Sequence, residues 1–141
     1  MPNHFHILAY LKNDFKRANF SKGLAICLRS YTRAMNKRYN RTGSLFQQHT
    51  KIKNISVSAD PDYYNFICFN YIHQNPLKAG LVQELADWPY SSYREYSASL
   101  ADSFSSCSIG RNLLDLPFDT SAFIKLTNQV IDTDYLPLKT D

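Results

Sequence analysis

The stretch DPDYYNFICFNYIHQNP, residues 60–76, carries the clearest helix signals in the chain. Asp60 is a typical N-cap residue, and Pro61 follows it at the first helical position. The helix is predicted to run to about Gln74, because Asn75 precedes a proline and residues before proline disfavour the α conformation. One face of this helix is apolar and is predicted to point inward, towards a sheet. That face consists of Tyr64, Ile67, Cys68 and Tyr71.

Tyr71 and Asn75 lie four residues apart on the same helix. Side chains at this spacing are one turn apart on one face, roughly 6 Å from each other at Cβ. A tyrosine that faces the core is usually a packing residue whose hydroxyl bonds to the backbone. The spacing therefore leaves both packing and chemistry open for Tyr71. His73 is predicted to lie about 200° around the helix from Tyr71, away from that face.

His4-Phe5-His6 opens an apolar run, residues 5–11, that predicts a buried strand. Alternate side chains of a strand point to the same side, so His4 and His6 are predicted to share one face. Two imidazoles on one face make half of a metal site. Single histidines in strands are more often ordinary core or surface residues, so a metal site and a structural pair both stay open.

The composition predicts one domain with a real core and a basic region. The chain has 141 residues, of which 44% are hydrophobic, and a formal net charge of +4. Much of the positive charge lies in one third of the chain, where the pattern predicts an amphipathic helix from Ser21 to about Tyr39. Such a block suits a polyanion such as nucleic acid, and a solvated helix face is the alternative. The block contains Lys22, Arg29, Arg33, Lys37, Arg38, Arg41, Lys51 and Lys53.

Cysteine usage and hydropathy indicate the cellular compartment in which the protein is expected. The three cysteines are odd in number and show no CxxC spacing, which disfavours a disulfide framework and a zinc ribbon. No apolar run approaches the ~20 residues of a membrane span, and the first residues do not resemble a signal peptide. We therefore expect a cytoplasmic protein with no membrane partner.

The remaining segments give weaker patterns. Residues 40–44 have the composition of a turn, and residues 45–56 predict one or two extended pieces. Residues 97–141 combine a serine-rich stretch with short apolar periodicities. This last part is predicted to be mostly loop and short helices.

Four ordered blocks carry the strongest functional signal. They are MPNHFHIL at 1–8, NRTGSLFQ at 40–47, YIHQNPLKAGLV at 71–82 and WPYSSY at 88–93. Together they closely resemble, in the same order, blocks of the single-tyrosine HUH transposases, in the branch related to REP-associated tyrosine transposases. The resemblance covers about residues 1–96.

The resemblance implies an α+β fold, a ferredoxin-like antiparallel sheet with helices on one face. Residues 1–96 would form the catalytic domain and residues 97–141 a small, partly helical C-terminal extension. Relatives carry a further segment before the first block, so the fold is expected to lack its N-terminal strand and helix. An unpaired sheet edge then predicts either strand exchange between the two chains of a homodimer or a compromised domain.

The resemblance also implies roles for four residues. His4 and His6 match the paired metal ligands, Asn75 the third ligand and Tyr71 the nucleophile. Two imidazoles and one amide oxygen leave positions on Mg²⁺ or Mn²⁺ for water and phosphate oxygens. The implied activity is metal-dependent nicking and strand transfer of single-stranded DNA through a 5′-phosphotyrosine, as in DNA transposition. The alternative is an inactive, truncated transposase remnant that only binds hairpin DNA.

Single-stranded or hairpin DNA is the partner that the resemblance implies. Basic side chains of the first predicted helix and of the loop after it are the candidates for phosphate contacts. Exposed aromatic residues such as Tyr39 are candidates for stacking on unpaired bases. His73, which is off the Tyr71 face, is predicted to lie on the surface or towards the DNA. The candidate phosphate contacts are Arg33, Lys37, Arg38, Arg41, Lys51 and Lys53.

Overall fold

The structure, a computed structural model, describes residues 4–12, 14–47, 51–56, 60–98 and 103–129. Helices are the regular elements of these ranges: α1 Arg17–Arg38, α2 Pro61–Lys78, a 3₁₀ helix Leu85–Asp87, α3 Tyr93–Ala98, α4 Cys107–Leu113 and α5 Thr120–Thr127. None of the described helices is both long and apolar enough to cross a membrane.

The chain divides into two compact units. We call Leu8–Lys53 the basic unit, because it contains α1 and the block of basic residues. We call Met1–Ile7 together with Asn54–Asp141 the site unit, because it contains the paired histidines and α2. Each unit is described by itself.

The predicted ferredoxin-like antiparallel sheet is wrong, since the described ranges contain no strand. The apolar run 5–11 is irregular, and three of its large side chains, Phe5, Ile7 and Tyr10, are exposed. The described parts of residues 45–56 are irregular as well. An apolar run makes a segment able to pair, but a strand forms only when its N–H and C=O groups bond to a neighbouring strand. Composition alone could not show that such a neighbour is absent from the described residues.

In the basic unit, α1 begins before the predicted N-cap, Ser21, because the helix already includes Arg17. Its C-terminal end is held by the turn that follows. The Asn36 side-chain amide donates a hydrogen bond to the Gly43 carbonyl at 2.8 Å. Asn40 and Gly43 both have positive φ, 48° and 93°, which reverses the chain at the predicted turn.

In the site unit, α2 starts where the sequence predicts it. The Asp60 carboxylate accepts a hydrogen bond from the Tyr63 backbone N–H at 3.1 Å, and Pro61 takes the first helical position. Such a cap satisfies one of the four N–H groups that have no partner inside a helix. The start of the helix at Asp60 thereby determines the face of α2 on which each later residue lies.

The predicted end of α2 near Gln74 is wrong, because the helix continues through Pro76 to Lys78. Pro76 has no N–H group to donate, but the next turn is complete, and the Ala79 N–H bonds to the Asn75 carbonyl at 3.0 Å. Pro76 is also buried. The bias against helix before proline is a local preference, and the packing of this last turn outweighs it.

Aromatic rings from three helices form the main core of the site unit. Phe69 of α2 meets Tyr96 of α3 with the ring centroids 5.0 Å apart, and Tyr96 stacks on Phe123 of α5 at 5.8 Å. Phe123 is fully buried, at 0% exposure. We call Phe69, His73, Tyr93, Tyr96 and Phe123 the aromatic cluster. It fixes one side of α2 and leaves the other side for the candidate site.

Candidate metal and nucleophile site

His4, His6 and Tyr71 come together in the site unit. The ring centroids of His4 and His6 are 5.0 Å apart, and those of His6 and Tyr71 are 5.6 Å apart. Both pairs meet edge to face, with interplanar angles of 88° and 76°. The two imidazoles therefore reach the tyrosine of α2 from an irregular segment rather than from a strand.

Tyr71 is held by its own helix. It packs with Tyr64 and Ile55 against the buried pair Ile67 and Cys68. Residues three and four apart on a helix are neighbours, so Tyr64, Ile67 and Cys68 line the turns before Tyr71. Tyr71 is half-buried. We call this side of α2, which also includes Asn75, the front face.

His6 is suited to bind a metal ion. Its Nε2 atom is buried and has no hydrogen-bond partner within the described part of the chain. Burial lowers the pKa of His6, and the nearby charge of His4 lowers it further. Both effects favour the neutral imidazole, which offers a lone pair to a metal ion.

Asn75 lies one turn beyond Tyr71 on the front face. Its Nδ2 atom is buried and meets no hydrogen-bond acceptor among residues 4–129 as far as they are described. A 180° rotation of the side-chain amide exchanges Oδ1 and Nδ2, so the same position can present an acceptor oxygen. Asn75 can therefore supply an amide oxygen from the helix that carries Tyr71.

The donor set fits a hard divalent ion. Within the described ranges no three side chains of His, Cys, Asp or Glu gather into a metal site. Two imidazoles with an amide oxygen form a neutral set that leaves several ligand positions to water or phosphate. The orphaned Nε2 atom of His6 is the observation that favours this fit.

His73 is buried, so its predicted place on the surface or towards DNA is wrong. It is 3% exposed, its Nε2 atom lies 2.8 Å from the Ser92 hydroxyl, and its ring meets Phe69 at 4.3 Å. Burial lowers the pKa of His73 to about 4, and the Phe69 carbonyl opposes this change only in part. We call this side of α2 the back face. A second helical stripe, formed by Phe69, His73 and Pro76, was the sequence signal that could have revealed it.

Gln74 is a second buried polar residue that the sequence did not reveal. Its amide nitrogen donates to the Thr127 carbonyl at 2.8 Å and to the Gln129 carbonyl at 2.9 Å. These partners follow Gln74 by more than fifty residues. No local pattern around Gln74 could have identified them.

The candidate phosphate contacts lie in the basic unit, and all six side chains are exposed. Tyr39 is also exposed, with the Arg38 guanidinium 5.7 Å from its ring centroid. Exposed basic and aromatic side chains are available to DNA, and their contact with it stays a prediction. Three of the six belong to α1: Arg33, Lys37 and Arg38. Arg41 lies in the turn after α1, and Lys51 and Lys53 lie in the last residues of the basic unit.

Comparison with known proteins gives a distant similarity. The chain is 29% identical over 101 residues to a Haemophilus influenzae protein that is named as a candidate REP-associated tyrosine transposase. The similar region covers 66% of this chain and 54% of that protein, so the chain spans about half the length of the curated relative it matches. No protein-family model and no solved structure matches the chain. Because the sequence identity is only 29%, any proposal about chemistry has to be argued from the residues of this chain.

Proposed function

We propose that this protein is a tyrosine transposase of the single-tyrosine HUH class. In this proposal it nicks single-stranded DNA in a metal-dependent reaction and transfers strands through a 5′-phosphotyrosine. The observation that carries the proposal is the placement of the Tyr71 ring 5.6 Å from His6, with His4 at 5.0 Å from His6. The similarity to the Haemophilus protein supports the coarser part of this assignment, a tyrosine transposase.

His4, His6 and Asn75 would hold the ion, Mg²⁺ or Mn²⁺. When bound, the ion supplies positive charge that draws electron density from the phosphoryl oxygens of the scissile phosphate. Neutral ligands do not cancel that charge, in contrast to carboxylates. The neutral form of His6, which burial favours, is the form that can serve as a ligand.

Tyr71 would be the nucleophile. Its phenolic oxygen forms a bond to phosphorus while the bond from phosphorus to the 3′ oxygen breaks. The phenol gives up its proton, and the departing 3′ oxygen takes up a proton as a hydroxyl group. One phosphodiester replaces another of similar energy, so a 3′ hydroxyl can later reverse the step and join strands without a further energy source.

A covalent adduct tests the proposal directly. The full chain is incubated with Mn²⁺ and a single-stranded oligonucleotide that contains a hairpin, and the products are separated under denaturing conditions. We expect a protein–DNA adduct that is lost in Tyr71→Phe and on chelation of the metal. Tyr90→Phe is the matched control, because Tyr90 is 86% exposed and lies in the same unit. Absence of an adduct with every divalent metal tried would reject the proposed activity.

The same experiment separates the activity from a DNA-binding remnant. A remnant binds the hairpin as well as before in Tyr71→Phe, forms no adduct and takes up no metal. We expect instead that Tyr71→Phe keeps DNA binding and loses only an adduct that the unaltered chain forms. DNA binding is measured in parallel by fluorescence anisotropy.

The six candidate phosphate contacts of the basic unit would bind the DNA backbone. Six phosphate contacts to a single strand predict a slope of about −4 in a plot of log affinity against log salt concentration. The double variant Arg33→Ala, Lys37→Ala should flatten that slope by roughly 1 to 2. Lys125→Ala, an exposed lysine of the site unit, is the control and should leave the slope unchanged. A shallow slope in the unaltered chain would contradict this assignment.

A further inference from the structure

We infer that Gln74 is a positioning residue for Tyr71, and that α5 helps to set the direction of the proposed nucleophile. The inference rests on the proposed function. It extends the apparatus to residues beyond 96, outside the four blocks that carry the family resemblance. Gln74 itself would touch neither DNA nor metal.

The Gln74 amide donates one bond to the last residue of α5, Thr127, and one to Gln129, two residues beyond the helix. A primary amide has two N–H groups, and the Gln74 nitrogen bonds to the carbonyls of Thr127 and Gln129 at 2.8 and 2.9 Å. The last carbonyls of a helix have no partner inside it. Gln74 is 6% exposed and Thr127 is 0% exposed, so the bond to Thr127 is shielded from water, whereas Gln129 is exposed and its bond is only part-buried.

The end of α5 is a fixed point for α2. Phe123 of α5 packs against Phe69, Tyr93 and Tyr96, with ring centroids 5.7–6.3 Å apart. The Thr127 hydroxyl donates to the Phe123 carbonyl at 2.9 Å, which closes the last turn of α5. A helix that is packed in this way can hold the side chain of Gln74 in one place.

Gln74 and Tyr71 are neighbours on α2, because residues three apart lie side by side on a helix surface. His73 provides a second tie, through Ser92, on the back face. Consecutive residues of α2 are thus bonded to two different elements, which fixes the rotation of the helix about its axis. That rotation decides where the phenol of Tyr71 points relative to His6.

The simpler alternative is that Gln74 only caps α5 and stabilises the fold. The two roles differ in what they predict for a folded variant. A misplacement of about 1 Å at the reacting atoms lowers a rate on the order of 100-fold, while binding through other residues is retained. A purely stabilising residue lowers the melting temperature and leaves the rate of the folded protein unchanged.

Two variants test the inference, each compared with the full unaltered chain. Gln74→Met keeps the length of the side chain and removes both donors, and Gln74→Asn keeps the amide and withdraws it by one methylene group. Gln83→Met is the matched control, because Gln83 is exposed in the same unit. If Gln74→Met does not melt cooperatively, Gln74→Asn provides the test.

Two readouts are measured at a temperature at which the variants are folded. The first is the single-turnover rate constant of adduct formation at saturating hairpin oligonucleotide and Mn²⁺, together with the Kd for the oligonucleotide. The second is the ¹⁹F resonance of Tyr71 in chains labelled with 3-fluorotyrosine, without DNA or metal. The chain has ten tyrosines, and the Tyr71 resonance is the one that is missing in Tyr71→Phe.

We expect both Gln74 variants to lower the rate constant about 10- to 100-fold with a Kd within about twofold of the unaltered chain. The Tyr71 resonance should shift or broaden in both, and Gln83→Met should match the unaltered chain. An unchanged rate constant and an unchanged Tyr71 resonance would overturn the inference. If the unaltered chain forms no adduct, the proposed function fails, and the Tyr71 resonance alone then decides whether Gln74 positions this residue.

Discussion

The front and back faces of α2 are built from one helix but differ in what surrounds their polar atoms. On the back face, His73 lies within the aromatic cluster and bonds to Ser92 through Nε2, and Gln74, at the edge of this face, bonds to two carbonyls. On the front face, His6 Nε2 and Asn75 Nδ2 are buried without partners among the described residues. Buried polar atoms normally find partners, and an unpartnered atom on a part-buried side chain is open to a ligand. The back face also holds a buried atom without a partner among the described residues, His73 Nδ1, so the difference lies in the surroundings. His73 is enclosed by aromatic rings, whereas His6 and Asn75 are only part-buried.

Phe123→Ala should produce the largest loss of stability, because it removes the centre of the aromatic cluster. Phe123 is completely buried. We expect the free energy of unfolding to fall by about 4 kcal/mol, from lost burial and from the cavity left behind. The measurement is urea unfolding followed by circular dichroism.

Phe104→Ala is the control for this substitution, since Phe104 is 100% exposed. It should change the free energy of unfolding by no more than about 0.5 kcal/mol. A similar loss in both variants would show that the aromatic cluster is not the core of the site unit.

The buried His73 predicts that the protein weakens in mild acid. Its pKa is 6.5 in an unfolded chain and about 4 in the folded protein. The unfolded state therefore binds more protons between these values, and stability falls as the pH drops through that window. From pH 7.5 to pH 5 we expect a loss of about 2 kcal/mol in the free energy of unfolding.

His73→Gln should remove most of this pH dependence, because glutamine can still bond to Ser92 but does not titrate. His6, whose pKa is also lowered, is present in both proteins and cancels in their difference. Urea unfolding at both pH values provides the measurement. Equal pH dependence in the two proteins would contradict the buried, neutral state of His73.

Gly110→Ala tests the packing of α4 on α3. A methyl group at Gly110 would clash with the Tyr96 hydroxyl, and Tyr96 cannot move aside easily because it is buried and stacked on Phe123. We expect a loss of about 1–2 kcal/mol in the free energy of unfolding. Gly23→Ala, in α1 with open space around it, is the control and should stabilise its helix by roughly 0.5–1 kcal/mol. A gain of stability in both variants would contradict the close contact.

His6→Ala should have the smallest effect on stability and a large effect on metal binding. The ring is half-buried and its Nε2 atom has no partner in the described chain, so its removal should change the free energy of unfolding by less than about 1 kcal/mol. Binding of Mn²⁺, measured by electron paramagnetic resonance, should be lost. His73→Gln should keep Mn²⁺ binding, which separates the two faces. Undiminished Mn²⁺ binding in His6→Ala would remove His6 from the proposed site.

Local sequence signals predicted the front face better than the back face. Asp60 and Pro61 mark the start of α2, and that start fixes Tyr71 and Asn75 one turn apart. The meeting of His6 with Tyr71 needed the family resemblance, since 64 residues separate them. The sheet was predicted wrongly, because pairing depends on a second strand that an apolar run does not specify.

The back face was missed because its partners are remote. The prediction that His73 is exposed used only its angular separation from Tyr71 around the helix. It failed because α2 is packed on both sides. The end of α2 was missed because the rule for residues before proline ignores how well the last turn packs. Local rules thus predicted where α2 begins and how its residues are spaced. Tertiary contacts, which these rules do not describe, determine which residues pack around it.

The bond from Gln74 to Thr127 also has a consequence for how the protein is made. The two residues are 53 positions apart, so Gln74 leaves the ribosome well before the carbonyl it bonds to. At ordinary rates of translation the delay is about 3–10 s. During that interval α2 can form as a helix, but its back face has no support from α5. If Gln74 positions Tyr71 as inferred, a growing chain holds the proposed nucleophile loosely until synthesis has passed α5.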